Sequence, residues 1–228
     1  MKPILFNTEM VKAILEGRKT VTRRLIKPKF KGVYYPIWKH PEKLIFENSS
    51  MDGWWQIWTE KVGSPYTCTK APYQVGDILY VRETWIESSF GYAYRASDYS
   101  TIEEWAGEEI KWKPSIFMPK EAARIFLKVT NVRVERLQDI TSDDAISEGV
   151  SRDRAFELNN WTPTFYDPDS GGDPDYIEAF KELWNSTVDK TVKDRYGWEA
   201  NPWVWVIEFE KIQTMSTVQD TRQYENNQ

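Results

Sequence analysis

The sequence predicts a mixed α+β fold that is rich in β-structure: a closed or nearly closed β-barrel with peripheral helices and a β-rich insertion. Two observations lead to this prediction. Segments with strand character outnumber segments with helical period, and the strands and helices do not alternate as they do in a doubly wound sheet. The chain has 228 residues with 12 Trp, 12 Tyr and 10 Phe, enough for one large domain with a substantial core.

The first elements are expected to be a strand and a helix. Residues 1–6 have strand character, and Asn7 or Thr8 can cap a helix over about residues 9–16. Gly17 is placed to end this helix. Its predicted apolar face consists of Val11, Ile14 and Leu15.

Residues 26–75 predict a β-rich insertion, because they are rich in Lys, Pro and aromatic residues and have no helical period. Within this segment, apolar runs at 44–46 and 54–58 flank a turn that ends in Gly53. That pattern predicts a β-hairpin.

The central part of the chain predicts further strands over residues 78–85, 92–96 and 124–137, with an acidic loop over 97–115. The last strand is expected over 203–209. The predicted barrel core consists of Ile4, Leu79, Val81, Phe126, Val204 and Val206.

A short helix is expected after Thr141, because Thr141 as N-cap and Asp144 three residues later make a near capping box. Gly149 is expected to end it. The following residues, 151–173, are predicted to be a loop. Its acidic end does not have the spacing of a calcium-binding loop, since Gly171 stands where a third acidic ligand is required.

Another helix is therefore predicted directly after this loop, with Asp173 as its N-cap and Pro174 in its first position. Its predicted apolar face consists of Ile177, Phe180, Leu183 and Trp184. Residues 213–228 are expected to be a disordered tail. The domain prediction is a single domain over 1–212 with insertions at about 26–75 and 151–173.

The composition excludes several classes of function. One cysteine, Cys68, excludes an intrachain disulfide, and one histidine, His40, removes the usual zinc sites and a Ser-His-Asp triad. No apolar run approaches the roughly 20 residues that span a bilayer. We therefore expect no metal, no cofactor, no membrane partner and a cytoplasmic location. Any acid–base chemistry must come from Lys, Glu, Asp or Tyr.

The charge is unevenly distributed along this chain of net charge −5. Residues 1–40 contain 10 Lys or Arg against 2 Glu, whereas residues 139–228 contain 8 against 19 Asp or Glu. An acidic protein is not expected to bind duplex nucleic acid broadly, but a local basic segment permits a focused anion site. Alternatively, both ends are ordinary solvated faces.

The most informative stretch is Gly-Arg-Lys-Thr-Val-Thr-Arg-Arg, residues 17–24. Thr20 and Thr22 alternate with Val21, which predicts the start of a strand. Cations and hydroxyls at the mouth of a strand suit a phosphate or a nucleotide. The alternative is that Arg18 and Lys19 compensate the negative end of the preceding helix dipole.

Five blocks in order resemble the ASCH domain family, and in particular its longer, often phage- or prophage-encoded members. The blocks are residues 17–22, 76–85, 134–141, 144–149 and 201–207. The resemblance implies a small β-barrel similar to the PUA domain of RNA-modifying proteins. It also implies RNA or a modified nucleoside as the ligand.

A bacterial branch of that family hydrolyses N4-acetylcytidine. The resemblance implies that Lys19 corresponds to its proton acceptor, Thr22 to its nucleophile and Glu148 to its glutamate. The chemistry is consistent with these residue types, because a threonine needs a nearby base and a lysine serves when cations and desolvation lower its pKa. Without the family, Glu148 reads as an ordinary carboxylate beside a C-capping glycine.

Further candidate ligand-binding residues lie in the basic stretch and on the central strands. The first group is Arg18, Thr20 and Arg23; the second is Arg82, Glu83, Tyr94 and Arg95. Glu83 is a second candidate carboxylate, or it pairs with an arginine for structural reasons. Tyr94 offers a stacking surface for a base, or it belongs to the core.

Three functions remain open from the sequence. The first is a module that binds RNA or a modified nucleoside in a basic cleft. The second is an enzyme, either an amidohydrolase of the N4-acetylcytidine type or a ribonuclease. The third is a phage accessory protein that binds another protein through its insertions.

Overall fold

The structure, a computed structural model, describes residues 1–26, 44–48, 53–59, 67–88, 91–97, 111–158 and 175–212. The described chain is a mixed α/β protein with several sheets, in agreement with the predicted class. The expected tail at 213–228, the acidic end of the 151–173 loop and most of the 97–115 loop lie outside the described residues.

Two compact units make up the chain, and each is discontinuous in sequence. The first unit contains the described residues within Met1–Gly17, Gly76–Thr130 and Phe209–Gln228. The second contains those within Arg18–Val75 and Asn131–Glu208. The single domain over 1–212 stays a prediction.

The described residues contain ten strands. In chain order they are β1 (Lys2–Leu5), β2 (Val21–Leu25), β3 (Leu44–Asn48), β4 (Trp54–Thr59), β5 (Thr67–Lys70), β6 (Ile78–Arg82), β7 (Trp85–Ser88), β8 (Gly91–Tyr94), β9 (Phe126–Arg136) and β10 (Trp203–Ile212). The single strand predicted over 78–85 is thus two strands, because β6 ends at Arg82 and β7 begins at Trp85.

These strands form three sheets, and the described strands do not close a barrel. The five-stranded sheet has the order β1-β6-β9-β10-β2, so β1 and β2 are its edges. Strand β1 is parallel to β6, whereas β6 and β9, and β10 and β2, are antiparallel. The smaller sheets are β3-β4-β5 and β7-β8. The predicted barrel was wrong at this point, because closure requires the two edge strands to pair with each other.

The β-structure predicted within residues 26–75 is present in the described part of that segment. Strands β3 and β4 pair antiparallel, which is the predicted hairpin, and β5 pairs with β4 on its other side. Gly53 precedes β4 with a φ of 74°, a left-handed conformation that favours glycine.

Five helices lie in the described residues: α1 (Thr8–Leu15), α2 (Ser142–Ser147), α3 (Arg152–Leu158), α4 (Tyr176–Thr187) and α5 (Lys193–Tyr196). Asn7 caps α1 by accepting a hydrogen bond from the main-chain nitrogen of Met10. On α1 the predicted apolar face was partly wrong. Val11 and Ile14 are buried, but Leu15 is exposed.

Among the described residues, no helix combines the length and the apolar character that crossing a membrane requires.

The loop predicted over 151–173 was wrong in its first part, where α3 forms. Ala155 on this short helix is fully buried in the apolar cluster of the second unit. Tertiary packing therefore stabilises a helix whose own sequence signal is weak. The next helix, α4, begins two residues later than predicted, because Asp175 rather than Asp173 is its N-cap.

The apolar core of the first unit contains Leu127 of β9, where the sequence predicted Phe126. Ile4, Leu79 and Val81 are buried as expected, but Phe126 is half-buried and the next residue, Leu127, is fully buried. The pairing of Leu79 with Leu127 decides this, because a shift of one residue moves every side chain to the other face.

We expect the Leu127→Ala variant to lose about 2–5 kcal/mol of unfolding free energy, because it leaves a cavity in this core. Denaturant unfolding measures the effect. The exposed neighbour Lys128 provides the control, and Lys128→Ala is expected to stay within about 0.5 kcal/mol of the parent protein. Equal effects at both positions would contradict the register of β9.

The apolar cluster of the second unit lies against strands β2 and β10 and helices α2, α3 and α4. Val204 and Val206 belong to it, as predicted. Its other buried members are Val21, Leu137, Ile140, Ala145, Val150, Ala155, Ala179, Phe180 and Trp184. This cluster fixes β2 and α2, the two elements that carry the candidate site.

Candidate functional site

Lys19 and Glu148 form a buried ion pair in the second unit. The Lys19 ammonium donates hydrogen bonds to Glu148 Oε2 at 2.7 Å, to the Glu148 carbonyl oxygen at 2.7 Å and to the Val21 carbonyl oxygen at 2.8 Å. The two side chains are 0% and 4% exposed. Each of the three ammonium protons therefore has an acceptor, and the structure brings together two residues 129 positions apart.

The capping of α2 explains where Glu148 lies. Thr141 and Asp144 form the predicted capping box at the start of the helix. Glu148 is the C-cap residue, and Gly149 follows it with a φ of 97°. Only glycine adopts this left-handed conformation at little cost, so the helix ends here and the carbonyl oxygens of Ser147 and Glu148 accept hydrogen bonds from partners outside the helix.

The stretch before β2 supplies those partners. The Arg18 guanidinium donates to the Gly149 carbonyl oxygen at 2.7 Å, and the main-chain nitrogen of Thr20 donates to the Ser147 carbonyl oxygen at 2.9 Å. Cations and N–H donors stabilise the negative end of a helix. Arg18 thus compensates a helix terminus as the alternative interpretation held, but the helix is α2 rather than the one that precedes it in sequence.

Arg23 is buried within the same site and does not face solvent. Its side chain is 0% exposed and contacts three carboxylates: Glu148 Oε1 at 3.4 Å, Glu135 Oε2 at 3.2 Å and Asp144 Oδ2 at 3.2 Å. The guanidinium also lies over the ring of Phe180, 5.9 Å from its centre. These partners give Arg23 a structural role, and its predicted ligand-binding role stays a prediction.

A second arginine extends this group of charges. Arg133 forms ion pairs with Glu135, Glu208 and Asp144. Burial alone would lower the pKa of Arg133. Hydrogen bonding and attraction from Glu135, with attraction from Glu208 and Asp144, outweigh burial and raise this pKa above its ordinary value. Two of these carboxylates are therefore shared between Arg133 and Arg23.

Thr22 and Arg24 lie on the opposite face of β2 from Arg23, because side chains alternate along a strand. Thr22 is buried and pairs in register with Ile207 of β10. Arg24 is half-buried. Burial lowers the pKa of Arg24, while the nearby Tyr73 and Glu148 oppose that shift. Glu148 is therefore close to cations from both faces of β2.

The pKa of Lys19 is lowered from its ordinary value of 10.5. Burial is the largest cause, and the positive charges of Arg24 and Arg23 act in the same direction. Attraction and hydrogen bonding from Glu148 oppose the shift without cancelling it. A lysine in this environment is closer to the neutral amine that a proton acceptor needs.

Four further predicted ligand residues, Arg82, Glu83, Tyr94 and Arg95, belong to the first unit, and the side chains of the first three have partners there. Glu83 is 1% exposed, and its two carboxylate oxygens each accept a hydrogen bond of 2.9 Å from Arg124. Arg82 Nε donates to the Met118 carbonyl oxygen at 2.7 Å. The structural interpretation of Glu83 is thus the one that the contacts support.

Tyr94 also has the contacts of a core residue. Its hydroxyl donates to the Ala122 carbonyl oxygen at 2.6 Å, and the Arg124 guanidinium lies 4.0 Å from its ring centre. Burial, as the largest cause, raises the pKa of the Tyr94 hydroxyl. Arg95 is exposed.

Sequence reasoning missed the carboxylates around Arg23 and the position of Arg24 next to Glu148. The alternation of β2 was the available signal for Arg24, because it places Thr22 and Arg24 on one face. The partners Glu135 and Asp144 come from distant elements, and no spacing in the sequence indicates them. Within the described part of the chain, no group of three or more His, Cys, Asp or Glu residues is arranged to hold a metal ion.

Comparisons with family models, with curated proteins and with solved structures find no match for this chain. The geometry therefore has to carry the functional argument. The contact that the structure shows is that of the buried Lys19 amine with the Glu148 carboxylate, and such a pair can recognise a polar ligand edge or transfer a proton.

Proposed function

We propose that this protein is an ASCH-type, PUA-like module that binds RNA or a modified nucleoside at a site built from Lys19, Thr22 and Glu148. The observation that carries the proposal is the 2.7 Å contact between Lys19 Nζ and the Glu148 carboxylate. The two residues come from two separate blocks of the family resemblance, and the family's ligand site would need them side by side.

The chemistry of the pair suits a nucleobase. An ammonium donates hydrogen bonds and a carboxylate accepts them, so together they complement an edge that carries a ring nitrogen or carbonyl next to an exocyclic amine. The Watson–Crick edge of cytosine has this arrangement. The half-buried cation Arg24 adds positive potential on the face of β2 that Thr22 shares.

Access to the site requires movement, because Lys19, Thr22 and Glu148 are all buried in the free chain. A ligand has to replace contacts that the pair makes with its surroundings. Binding is therefore expected to be accompanied by a change around β2, rather than to occur on a preformed open surface.

We expect the protein to bind cytidine or a cytidine-containing single-stranded RNA, and Thr22→Val to weaken this binding by about 2- to 12-fold. This factor corresponds to the loss of one hydrogen bond of about 0.5–1.5 kcal/mol. Valine keeps the shape and strand preference of threonine, so the fold should persist. Isothermal titration calorimetry measures the affinity.

The matched control is Thr130→Val, the same substitution at an exposed position of β9. It is expected to leave the affinity unchanged. Equal weakening by both substitutions, or no binding of nucleoside or RNA by the parent protein at millimolar concentration, would contradict the proposed site.

The lowered pKa of Lys19 favours an amidohydrolase of the N4-acetylcytidine type as a second candidate. We assign the part of proton acceptor to the Lys19 amine, whose pKa is lowered, and the part of proton donor to the Glu148 carboxyl group. Thr22 attacks the acetyl carbon and passes its proton to Lys19, while Glu148 protonates the departing N4 amine. Water then cleaves the acetyl-threonine ester, releases acetate and restores both groups. A protein-binding role for the insertions stays a prediction.

A further inference from the structure

Arg23 occupies a position where the surrounding residues favour an apolar side chain. Val21 and Leu25, two residues to either side on β2, pack in the apolar cluster of the second unit. Residues two apart on a strand point to the same face, so Arg23 shares the face of Val21 and Leu25. Its guanidinium lies over the ring of Phe180, a member of that cluster. An aliphatic residue would satisfy the packing here.

Burial of a guanidinium is costly and is recovered only with well-placed partners. Arg23 has three carboxylates, and they come from β9 (Glu135), from the first turn of α2 (Asp144) and from its C-cap (Glu148). Among the described residues its Nε has no hydrogen-bond partner although it is buried. The burial of Arg23 therefore costs free energy. We infer that this residue does more than fill space in the apolar cluster.

The contacts of Glu148 indicate that role. Its Oε2 accepts from Lys19, and its Oε1 faces Arg23 Nη1. Two cations thus hold the carboxylate by different oxygens, which determines the rotation of the group. The same guanidinium also contacts Asp144, so it connects both ends of a six-residue helix that is too short to be stable alone.

We propose that Arg23 is a positioning residue, which holds α2 and the Glu148 carboxylate in the orientation that meets Lys19. The significance of this role for ligand binding rests on the proposed function. Arg133 shares Glu135 and Asp144 with Arg23 but makes no described ion pair with Glu148. Loss of Arg23 therefore leaves Glu135 and Asp144 with Arg133, whereas Glu148 loses the cation at its Oε1 and keeps Lys19 at its Oε2.

The electrostatic consequence has a definite sign. The groups that act on Lys19 are Glu148, which raises its pKa, and Arg24 and Arg23, which lower it, in addition to burial. Replacement of Arg23 by a neutral residue removes one of the lowering charges. The pKa of Lys19 is then expected to rise, and the carboxylate is free to rotate.

The experiment compares Arg23→Met and Arg23→Lys with the parent protein. The ammonium of Lys19 is titrated by NMR, and cytidine binding is measured by calorimetry. We expect Arg23→Met to raise the pKa of Lys19 and to weaken binding by about tenfold, the equivalent of about 1.4 kcal/mol. Arg23→Lys keeps a charge, so it should restore the titration and recover part of the binding.

Arg154→Met removes an exposed arginine that pairs with Glu182, and it serves as the control without effect on either readout. A folded Arg23→Met protein with the titration of the parent protein would overturn the proposal. If Arg23→Met does not fold, Arg23→Lys decides: unchanged binding together with an unchanged Glu148 carboxyl resonance would overturn it. Failure of the parent protein to bind cytidine would contradict the proposed function, not the positioning role of Arg23. The NMR titration of Lys19 would still test that role.

Discussion

The Lys19→Met variant is expected to lose about 3–5 kcal/mol of unfolding free energy, measured by urea or guanidinium denaturation. Methionine keeps an unbranched apolar side chain here, but the substitution removes the closest cation of the buried Glu148 carboxylate and leaves Arg23 as its ion-pair partner. Removal of one partner of a buried ion pair has this cost because the remaining charge is desolvated and less well compensated. The loss is comparable to a large part of the stability of an ordinary domain.

Two further variants test this explanation. Lys19→Met combined with Glu148→Gln removes the stranded charge, so the double variant should recover about 0.5–3 kcal/mol relative to the sum of the two single effects. Lys12→Met breaks an ion pair with Glu9 in which the lysine side chain is 44% exposed, and it should cost at most about 1 kcal/mol. A loss of less than 1 kcal/mol for Lys19→Met would show that the pair is solvated in solution.

Hydrolysis of N4-acetylcytidine is the reaction expected of the second candidate function, with release of acetate that a coupled or chromatographic assay detects. Glu148→Gln should slow this reaction by about 10²–10⁴-fold, because the amide cannot protonate the departing amine. The pair must retain one proton for the departing amine, so the rate should fall as pH rises through the lowered pKa of Lys19, below its ordinary value of 10.5.

The matched control for this experiment is Glu182→Gln, the same substitution at an exposed carboxylate that pairs with Arg154. It should leave the rate unchanged. If the parent protein binds cytidine but releases no acetate, the amidohydrolase candidate is excluded and the binding function alone remains. If Glu182→Gln and Glu148→Gln slow the reaction equally, Glu148 has no specific part in it.

Local signals in the sequence predicted the elements that carry the site. The capping box of Thr141 and Asp144 and the left-handed Gly149 determine where α2 begins and ends, and both act over a few residues. Asn7 and Gly17 do the same for α1. The family resemblance predicted that Lys19 and Glu148 would be neighbours, and the structure has them in contact.

The same local signals do not predict which strands pair when they are far apart in the sequence. The core residue of β9 was predicted one position too early, because Phe126, Leu127 and Val129 are all apolar and alternation alone does not choose between the two faces. The closed barrel was predicted from a count of strands, whereas the order of the five-stranded sheet depends on which strands pair. Helix α3 forms because Ala155 is buried by residues distant in sequence.

The sequence by itself determined the ends of α1 and α2, the hairpin of β3 and β4 and the basic stretch that contains Lys19 and Thr22. Only the tertiary structure decided that Arg23 is buried among three carboxylates and that Glu83 pairs with Arg124. The physical reason is the distance along the chain over which each interaction acts. Capping and alternation are satisfied within a few residues, whereas the partner and the burial of a charge depend on elements that meet only after the chain has folded.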